Sequence, residues 1–182
     1  MIAVMSSGLV DLLQAADGRE VAFVLGSFVF HSGDPVRTVF LVLEGEVRLV
    51  RHQEDGTGLV LQRAGRGEIL AEASLFSDRH HCDAVAAAAT RVKGLPADAL
   101  RARFRHDPGF AEAWAAHLAR EVQRARFRAE IAARRTVAAR LDAWLGWQGG
   151  AAPRKGEWKA VAEQIGVSPE ALYRELGRRR RA

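Results

Sequence analysis

The sequence contains a single cysteine, Cys82, among 182 residues. One cysteine excludes a disulfide framework and a cysteine-ligated iron–sulfur cluster, and it is typical of a protein from the reducing cytosol. No run of about 18 consecutive apolar residues occurs, so we expect no membrane-spanning helix. The N-terminal stretch lacks a basic region, and Asp11 and Gln14 interrupt its apolar residues, so we do not expect a signal peptide. These absences predict a cytoplasmic protein with no membrane partner.

The sequence motifs of common enzymes are also missing. There is no P-loop, no dinucleotide-binding glycine motif and no Ser-His-Asp order. A metal-dependent barrel enzyme of the cupin type would need a His/His/Glu/His ligand set, and His31 and His52 do not have its spacing. We therefore expect a protein that is not an enzyme.

Positive charge is concentrated at the C-terminal end. Residues 119–182 contain 15 Lys and Arg against 7 Asp and Glu, a net charge of +8, whereas the rest of the chain carries 12 against 15, a net charge of −3. A basic segment attached to a slightly acidic body indicates a module that binds a polyanion.

Residues 20–97 have the pattern of an antiparallel β structure. Short runs of β-branched and aromatic residues alternate with turns, and the turn glycines Gly33, Gly45, Gly56 and Gly67 follow each other at intervals of 12, 11 and 11 residues. Helical patterns follow at 97–106, 108–133 and 136–147, and the chain closes with a helical pair. The predicted fold class is α+β, with an N-terminal jelly-roll barrel and C-terminal helices.

The helix expected at 108–133 carries an alanine-rich apolar stripe at heptad spacing. The stripe allows close approach of a second copy of the helix, which predicts a homodimer. The alternative is that the stripe packs only on the barrel. The candidate interface residues are Leu118, Val122, Ala125 and Ala129.

Residues 158–176 contain two amphipathic helices around a glycine. Gly166 supplies a tight turn, Ala162 is small enough for the helices to cross closely, and Ser168-Pro169 is a strong helix start. In a DNA-bound helix-turn-helix, Arg bridges N7 and O6 of guanine and Glu accepts from N4 of cytosine, while residues beyond the helix reach phosphates. Glu175 departs from the pattern, because such helices usually carry an apolar residue there. The candidate DNA-binding residues are Ser168, Glu170, Tyr173, Arg174, Arg178, Arg179, Arg180 and Arg181.

Together these segments resemble the transcription regulators of the Crp/Fnr superfamily, related to the cyclic-AMP receptor protein and the fumarate–nitrate regulator. The resemblance rests on F-x-S-G-D-P at 30–35, V-F-L-V-L-E-G-E-V-R-L at 39–49, G-E-I-L-A-E-A-S-L-F at 67–76 and I-G-V-S-P-E-A-L-Y-R-E-L at 165–176. It implies a cyclic-nucleotide-binding-like barrel at 1–106, a dimerisation helix at 107–134 and a DNA-binding domain at 135–182 that lacks a full wing. It also implies a homodimer that binds double-stranded DNA, with RNA polymerase as a further partner.

The resemblance weakens at the cyclic-nucleotide pocket. Glu72 matches the glutamate that binds the ribose, but the arginine and Ser/Thr that bind the phosphate are replaced by His81 and Cys82. Neutral histidine replaces a bidentate arginine poorly, so cyclic AMP is not the expected effector. The helix positions that would meet adenine are Ala125 and Arg126. The pocket candidates are Glu72, Ala73, Ser74, Arg79, His81, Cys82 and Arg126.

Several alternatives for this pocket remain open. Another small anion or nucleotide could be held by His81, Arg79 and backbone N–H groups. Haem or a metal could use His80, His81 or Cys82, although zinc would need more ligands than this segment offers. Cys82 could act as a thiol switch, or it could simply fill the core in place of Ser or Thr. A rival from another class is a ligand-binding barrel with a helical tail that binds a protein and no DNA.

Overall fold

The computed structural model describes residues 7–54, 58–70, 72–150, 153 and 156–181. It contains two compact units, residues 1–118 and 119–182, and the boundary lies within one long helix. The predicted turn around Gly56 and most of the break at 151–156 fall outside the described residues.

The first unit contains an antiparallel β-barrel-like structure of two four-stranded sheets. The sheet orders are β1-β8-β3-β6 and β2-β7-β4-β5, and every pairing within them is antiparallel. This confirms the predicted class of the barrel. The strands are β1 (Arg19–Phe23), β2 (Phe28–Phe30), β3 (Thr38–Glu44), β4 (Glu46–His52), β5 (Gly58–Gly65), β6 (Ile69–Leu70), β7 (Asp83–Ala86) and β8 (Thr90–Pro96).

Alternation along the strands gives the first sheet two apolar faces. Val42 and Val92 face the second sheet, in a cluster that also contains Leu49 and Cys82. Val39 belongs to a separate cluster that includes residues of the helices. A strand that is apolar on both faces is expected where both faces are covered.

Within the described residues, six helices accompany the strands, together with a 3₁₀ helix at Glu72–Ser74. They are α1 (Ser7–Ala15), α2 (Ala97–His106), α3 (Pro108–Ala133), α4 (Val137–Trp147), α5 (Trp158–Gln164) and α6 (Pro169–Arg179). The predicted bounds of α2 and α3 are confirmed. Helix α1 and strand β6 were not expected from the sequence, because both are short and gain most of their stability from burial of residues such as Leu9, Leu13 and Ile69.

The break between α2 and α3 is explained by Asp107. Its Oδ1 accepts a hydrogen bond from the backbone N–H of Phe110 at 2.9 Å, and this bond, with Arg103, holds the pKa of the carboxyl below its usual range. Pro108 then occupies the first helical turn. Phe110 and Trp114, one turn apart, are fully buried in the first unit. Burying a side chain such as Phe110 stabilises the fold by about 1.5–3 kcal/mol.

The second unit is a small helical body around one apolar cluster. Ile131 from α3 and Leu141 and Trp144 from α4 pack with Ile165, at the end of α5, and with Leu172 of α6. Thr136 caps the N-terminus of α4, because its hydroxyl accepts from the N–H of Ala139 at 3.1 Å. Among the described residues, no helix is both long enough and apolar enough to cross a membrane.

Candidate functional site

Helices α5 and α6 are joined by a tight turn that fixes their crossing. Gly166 has a φ of 66°, in the left-handed region that favours glycine. Ala162 is fully buried below the turn. The Ser168 hydroxyl accepts from the N–H of Ala171 at 3.2 Å, and Pro169 starts the helix. These are the local features that the sequence predicts for this segment.

The outer face of the first two turns of α6 is polar and accessible. Ser168, Glu170 and Arg174 are exposed, and Tyr173 is 53% exposed. The backbone N–H at position 170, then the Ser168 hydroxyl and then Arg174 lower the pKa of Glu170. The carboxylate is therefore anionic at neutral pH, and it lies one helical turn from the arginine.

The C-terminal end of α6 forms a network within the protein. Glu175 accepts from Arg178 at 2.8 and 2.9 Å and from Nε of Arg179 at 2.7 Å. Arg179 also donates to Asp142 at 2.6 Å and to the Ala138 carbonyl at 3.1 Å, both on α4. The two arginines lower the pKa of Glu175 from 4.5 to about 2. The network links α6 to α4.

This network explains Glu175 and gives two of the predicted DNA-binding arginines partners within the protein. Glu175, the exception in the apolar pattern, replaces apolar packing with a charged link between helices. Arg179 is half-buried in that link, where its guanidinium has partners on both α6 and α4. Arg178 is bonded to Glu175 but 64% exposed, and Arg180 and Arg181 are exposed.

Arg140 on α4, which the sequence analysis did not identify, holds three segments together. Its Nη1 donates to the carbonyls of Gly166 at 2.7 Å and Ile165 at 3.1 Å, in the turn between α5 and α6. Its Nη2 and Nε donate at 2.9 Å to Ala132 and Arg134, at the end of α3. One guanidinium therefore satisfies carbonyls at the ends of two helices, which otherwise lack intrahelical partners.

The barrel candidates fall into two groups. Glu72 and Ser74 are buried on the 3₁₀ helix, and Ser74 Oγ lies 3.5 Å from Nδ1 of the exposed His81. Ala73 is exposed. The structure thus brings His81 to the segment of Glu72, as the resemblance implies, but the group at this position is an imidazole.

The other barrel candidates, Cys82, His80 and Arg79, have different surroundings from one another. Cys82 is 3% exposed in the apolar cluster between the sheets, and burial raises the pKa of its thiol. His80 is 5% exposed and stacks on Phe30 with ring centroids 3.7 Å apart. Arg79 donates to the Gly33 carbonyl at 2.6 Å. In the part of the chain that the structure describes, no group of three or more His, Cys, Asp or Glu side chains is arranged to hold a metal ion.

The burial of Cys82 does not favour the thiol-switch interpretation, because a reactive cysteine needs access and a lowered pKa. It agrees with the core-filling alternative. His80 and Cys82 are buried and His81 is exposed, and the backbone bends at His81 and Cys82 before β7 begins at Asp83. Neighbours in sequence therefore do not form one ligand set here.

The apolar stripe on α3 is mostly uncovered. Val122 is 48% exposed, and Ala125 and Ala129 are exposed. Leu118 differs, because it is half-buried and packs against the core of the first unit. Arg126 lies in the second unit and is exposed.

Known proteins share parts of this architecture. The profile of the cyclic nucleotide-binding domain family matches residues 20–107. Catabolite activator protein from Thermus thermophilus is 25% identical, with a TM-score of 0.54 over 97% of this chain and 83% of that chain. Residues 20–107 therefore form a domain of the cyclic nucleotide-binding type, and the chain is similar to regulators of the Crp/Fnr kind.

Two further structures show the same fold at lower identity. FixK2 from Bradyrhizobium japonicum is 19% identical, with a TM-score of 0.72 over 90% of this chain and 84% of that chain. The c-di-GMP responsive global regulator CLP from Xanthomonas campestris is 21% identical, with a TM-score of 0.67 over 96% and 91%. A search of curated proteins gave no match.

Proposed function

We propose that this protein is a dimeric, sequence-specific DNA-binding transcription regulator whose effector is not cyclic AMP. The observation that carries the proposal is the surface of α6. Its first two turns expose Glu170, Tyr173 and Arg174 on a helix that is fixed by its cap, by its turn and by α4. As part of a helix-turn-helix, this surface would enter the major groove.

The chemistry of that surface suits base recognition. An exposed arginine can bond N7 and O6 of guanine, and an exposed carboxylate can accept from N4 of cytosine. Because Glu170 and Arg174 are one turn apart, they would read neighbouring base pairs. The Tyr173 hydroxyl and the Ser168 region would lie near the sugar–phosphate backbone.

The rest of the second unit supports affinity for a polyanion. Residues 119–182 carry a net charge of +8, and Arg180 and Arg181 are exposed beyond the base-reading turns. Contacts from such residues to phosphates release counterions, which makes binding weaken steeply with salt.

The uncovered stripe on α3 supports the homodimer. Val122, Ala125 and Ala129 leave an apolar strip of small side chains, over which a second α3 can approach closely. Two recognition helices related by a two-fold axis would bind half-sites about one helical turn apart. RNA polymerase is the partner on which such a regulator would act.

The pocket supports an effector other than cyclic AMP. A cyclic phosphate needs a fixed, charge-assisted donor. The position offers His81, held near Ser74, while Cys82 is buried in the core and Arg79 is bonded to Gly33.

The test is selection of DNA from a random duplex library by the purified full chain, followed by sequencing. We expect enrichment of a palindrome with half-sites about 10 base pairs apart. Binding to a protein partner that is insensitive to salt, with no enriched duplex, would favour the rival interpretation of a protein-binding tail.

A further inference from the structure

Helix α6 contains a glycine, Gly177, that the packing of the described residues does not explain. Glycine is, after proline, the least favourable residue in a helix, because it loses the most backbone freedom on folding. A positive φ or a close neighbour usually accounts for it. The φ of Gly177 is not positive, and a Cβ at this position would meet only Nη1 of Arg181, at 3.9 Å, among the described residues. That distance is an ordinary van der Waals contact.

Gly177 lies on the same face of α6 as the residues proposed to contact DNA. It is one turn after Tyr173 and Arg174 and one turn before Arg180 and Arg181. Side chains three or four positions apart on a helix are neighbours, about 5–6 Å apart. The helical turn continues past the end of α6, because the N–H groups of Arg180 and Arg181 donate to carbonyls four and three residues back, at 3.2 and 3.1 Å.

The side chains around this bare stretch of backbone are available to an anion. Arg180 and Arg181 are exposed, and their guanidinium groups make no hydrogen bond or ion pair within the described part of the chain. Arg174 is also exposed, and Tyr173 is 53% exposed. A phosphodiester accepts hydrogen bonds from arginine and from a phenol hydroxyl, and a glycine lets it approach the helix closely.

A second helix glycine of the same unit lacks these neighbours. Gly146 lies in the last turn of α4, its φ is not positive, and a Cβ there would meet no described atom within 4 Å. Asp142 and Ala143 precede it by one turn, and Gly149 and Gly150 follow it by one turn. No cation therefore lies one turn away from this glycine, which makes it a matched control.

The length of α6 places Gly177 near the wall of the groove. It follows Glu170 by seven residues, which is about 10 Å along a helix axis. The major groove is about 12 Å wide, and the N-terminal part of a recognition helix enters it. When the turns of Glu170 and Arg174 lie among base edges, the next turn therefore meets the sugar–phosphate backbone.

We propose that the sugar–phosphate backbone of the bound DNA passes directly over Gly177, between Tyr173 and Arg181. The missing side chain lets the third turn of α6 touch this backbone, and the contact sets how deeply the first two turns enter the groove. A side chain at position 177 would lift the helix away from the bases. This contact rests on the proposed DNA binding, and it assigns to Gly177 a positioning role in that binding.

The test compares stability and DNA binding in the same purified full-length variants, Gly177→Ala and Gly177→Leu, with Gly146→Ala and Gly146→Leu as controls. Alanine and leucine both favour a helix more than glycine does, so the urea midpoint of the second unit should rise by up to about 0.5 M in all four variants. Binding of the duplex selected by the parent should weaken about 5-fold for Gly177→Ala and about 100-fold for Gly177→Leu, the range of steric overpacking. Both controls should bind as the parent does.

The opposite signs of the two effects separate a lost DNA contact from a folding defect. Because a phosphate contact carries no sequence information, Gly177→Ala should select the same DNA sequence as the parent. Affinity of Gly177→Leu equal to that of the parent, equal weakening by the Gly146 variants, or a changed sequence preference would overturn the contact at Gly177 and leave the proposed function intact. A parent chain that selects no duplex would overturn both.

Discussion

Replacement of Arg140 by alanine should destabilise the helical unit without touching its apolar core. The change removes four hydrogen bonds of 2.7–3.1 Å from one guanidinium to the carbonyls of Ala132, Arg134, Ile165 and Gly166. Hydrogen bonds to charged groups contribute about 1.5–3 kcal/mol each when sheltered, and less where water competes. Most of these carbonyls are accessible, so we expect a total loss of about 2–3 kcal/mol.

Tryptophan fluorescence during urea unfolding measures this loss. Trp144, Trp147 and Trp158 lie in the second unit, and a Trp114→Phe background removes the only tryptophan of the first unit. With a slope of about 1–1.5 kcal/mol per molar urea for so small a unit, the midpoint should fall by about 2 M. Arg140→Lys keeps the charge but not the fork of donors, so its midpoint should lie between those of Arg140 and Arg140→Ala.

The matched control is Arg128→Ala, which removes an exposed arginine of α3 in the same unit. The free energy of unfolding of this control should change by less than about 0.5 kcal/mol, so its urea midpoint should stay close to that of the parent. If Arg140→Ala unfolds at the midpoint of the parent, or if the control loses as much, then the guanidinium does not hold the three segments together.

Three further predictions concern the dimer, the link between helices and the tail. Val122→Glu with Ala129→Glu should give monomers in sedimentation equilibrium, because four carboxylates would meet along the paired stripes; a persistent dimer would place the interface elsewhere. Because the pKa of Glu175 falls from 4.5 to about 2, its contribution to stability is present above about pH 4.5 and is lost as the pH falls toward 2. The urea midpoint of Glu175→Gln should therefore lie below that of the parent at neutral pH, and the two midpoints should converge near pH 2. A difference that stays constant with pH would show that ionisation of Glu175 is not the source of the stability. Arg180→Ala with Arg181→Ala should reduce the slope of log binding constant against log salt by up to about 2 per protomer, with the preferred DNA sequence unchanged; an unchanged slope would remove both residues from the phosphate contacts.

The parts of the fold with strong local signals were predictable from the sequence. The bounds of α2 and α3 follow from Asp107-Pro108 and from a long helical periodicity, and the strands follow from glycine turns at near-regular intervals. Elements α1 and β6 are too short for such signals, and tertiary burial determines them.

The internal arginines were less predictable, because their partners are distant in sequence. Arg140 bonds to carbonyls 25 and 26 residues away, and a backbone carbonyl leaves no signature in the sequence. Glu175 did leave a signal, since it is a charge at a position where an apolar residue is usual. Its physical reason, the bond through Arg179 to α4, required the structure.

The structure reduces the number of possible interpretations of the segment around Cys82. Three adjacent soft ligands suggested a metal, haem or redox site. In the structure His80 and Cys82 are buried and His81 is exposed. His80 packs on Phe30, and Cys82 lies in the apolar cluster between the sheets.

The most direct test of the central proposal is the binding of the selected DNA duplex by the parent chain and by Arg174→Ala, with Arg105→Ala as the charge-matched control. Affinity should fall steeply as salt rises. Arg174→Ala should bind the selected site about 5- to 150-fold more weakly, equivalent to about 1–3 kcal/mol, with weaker discrimination at one base pair. The control should bind as the parent does. Equal affinity and equal preference in all three proteins would contradict the assignment of α6 as the base-reading helix.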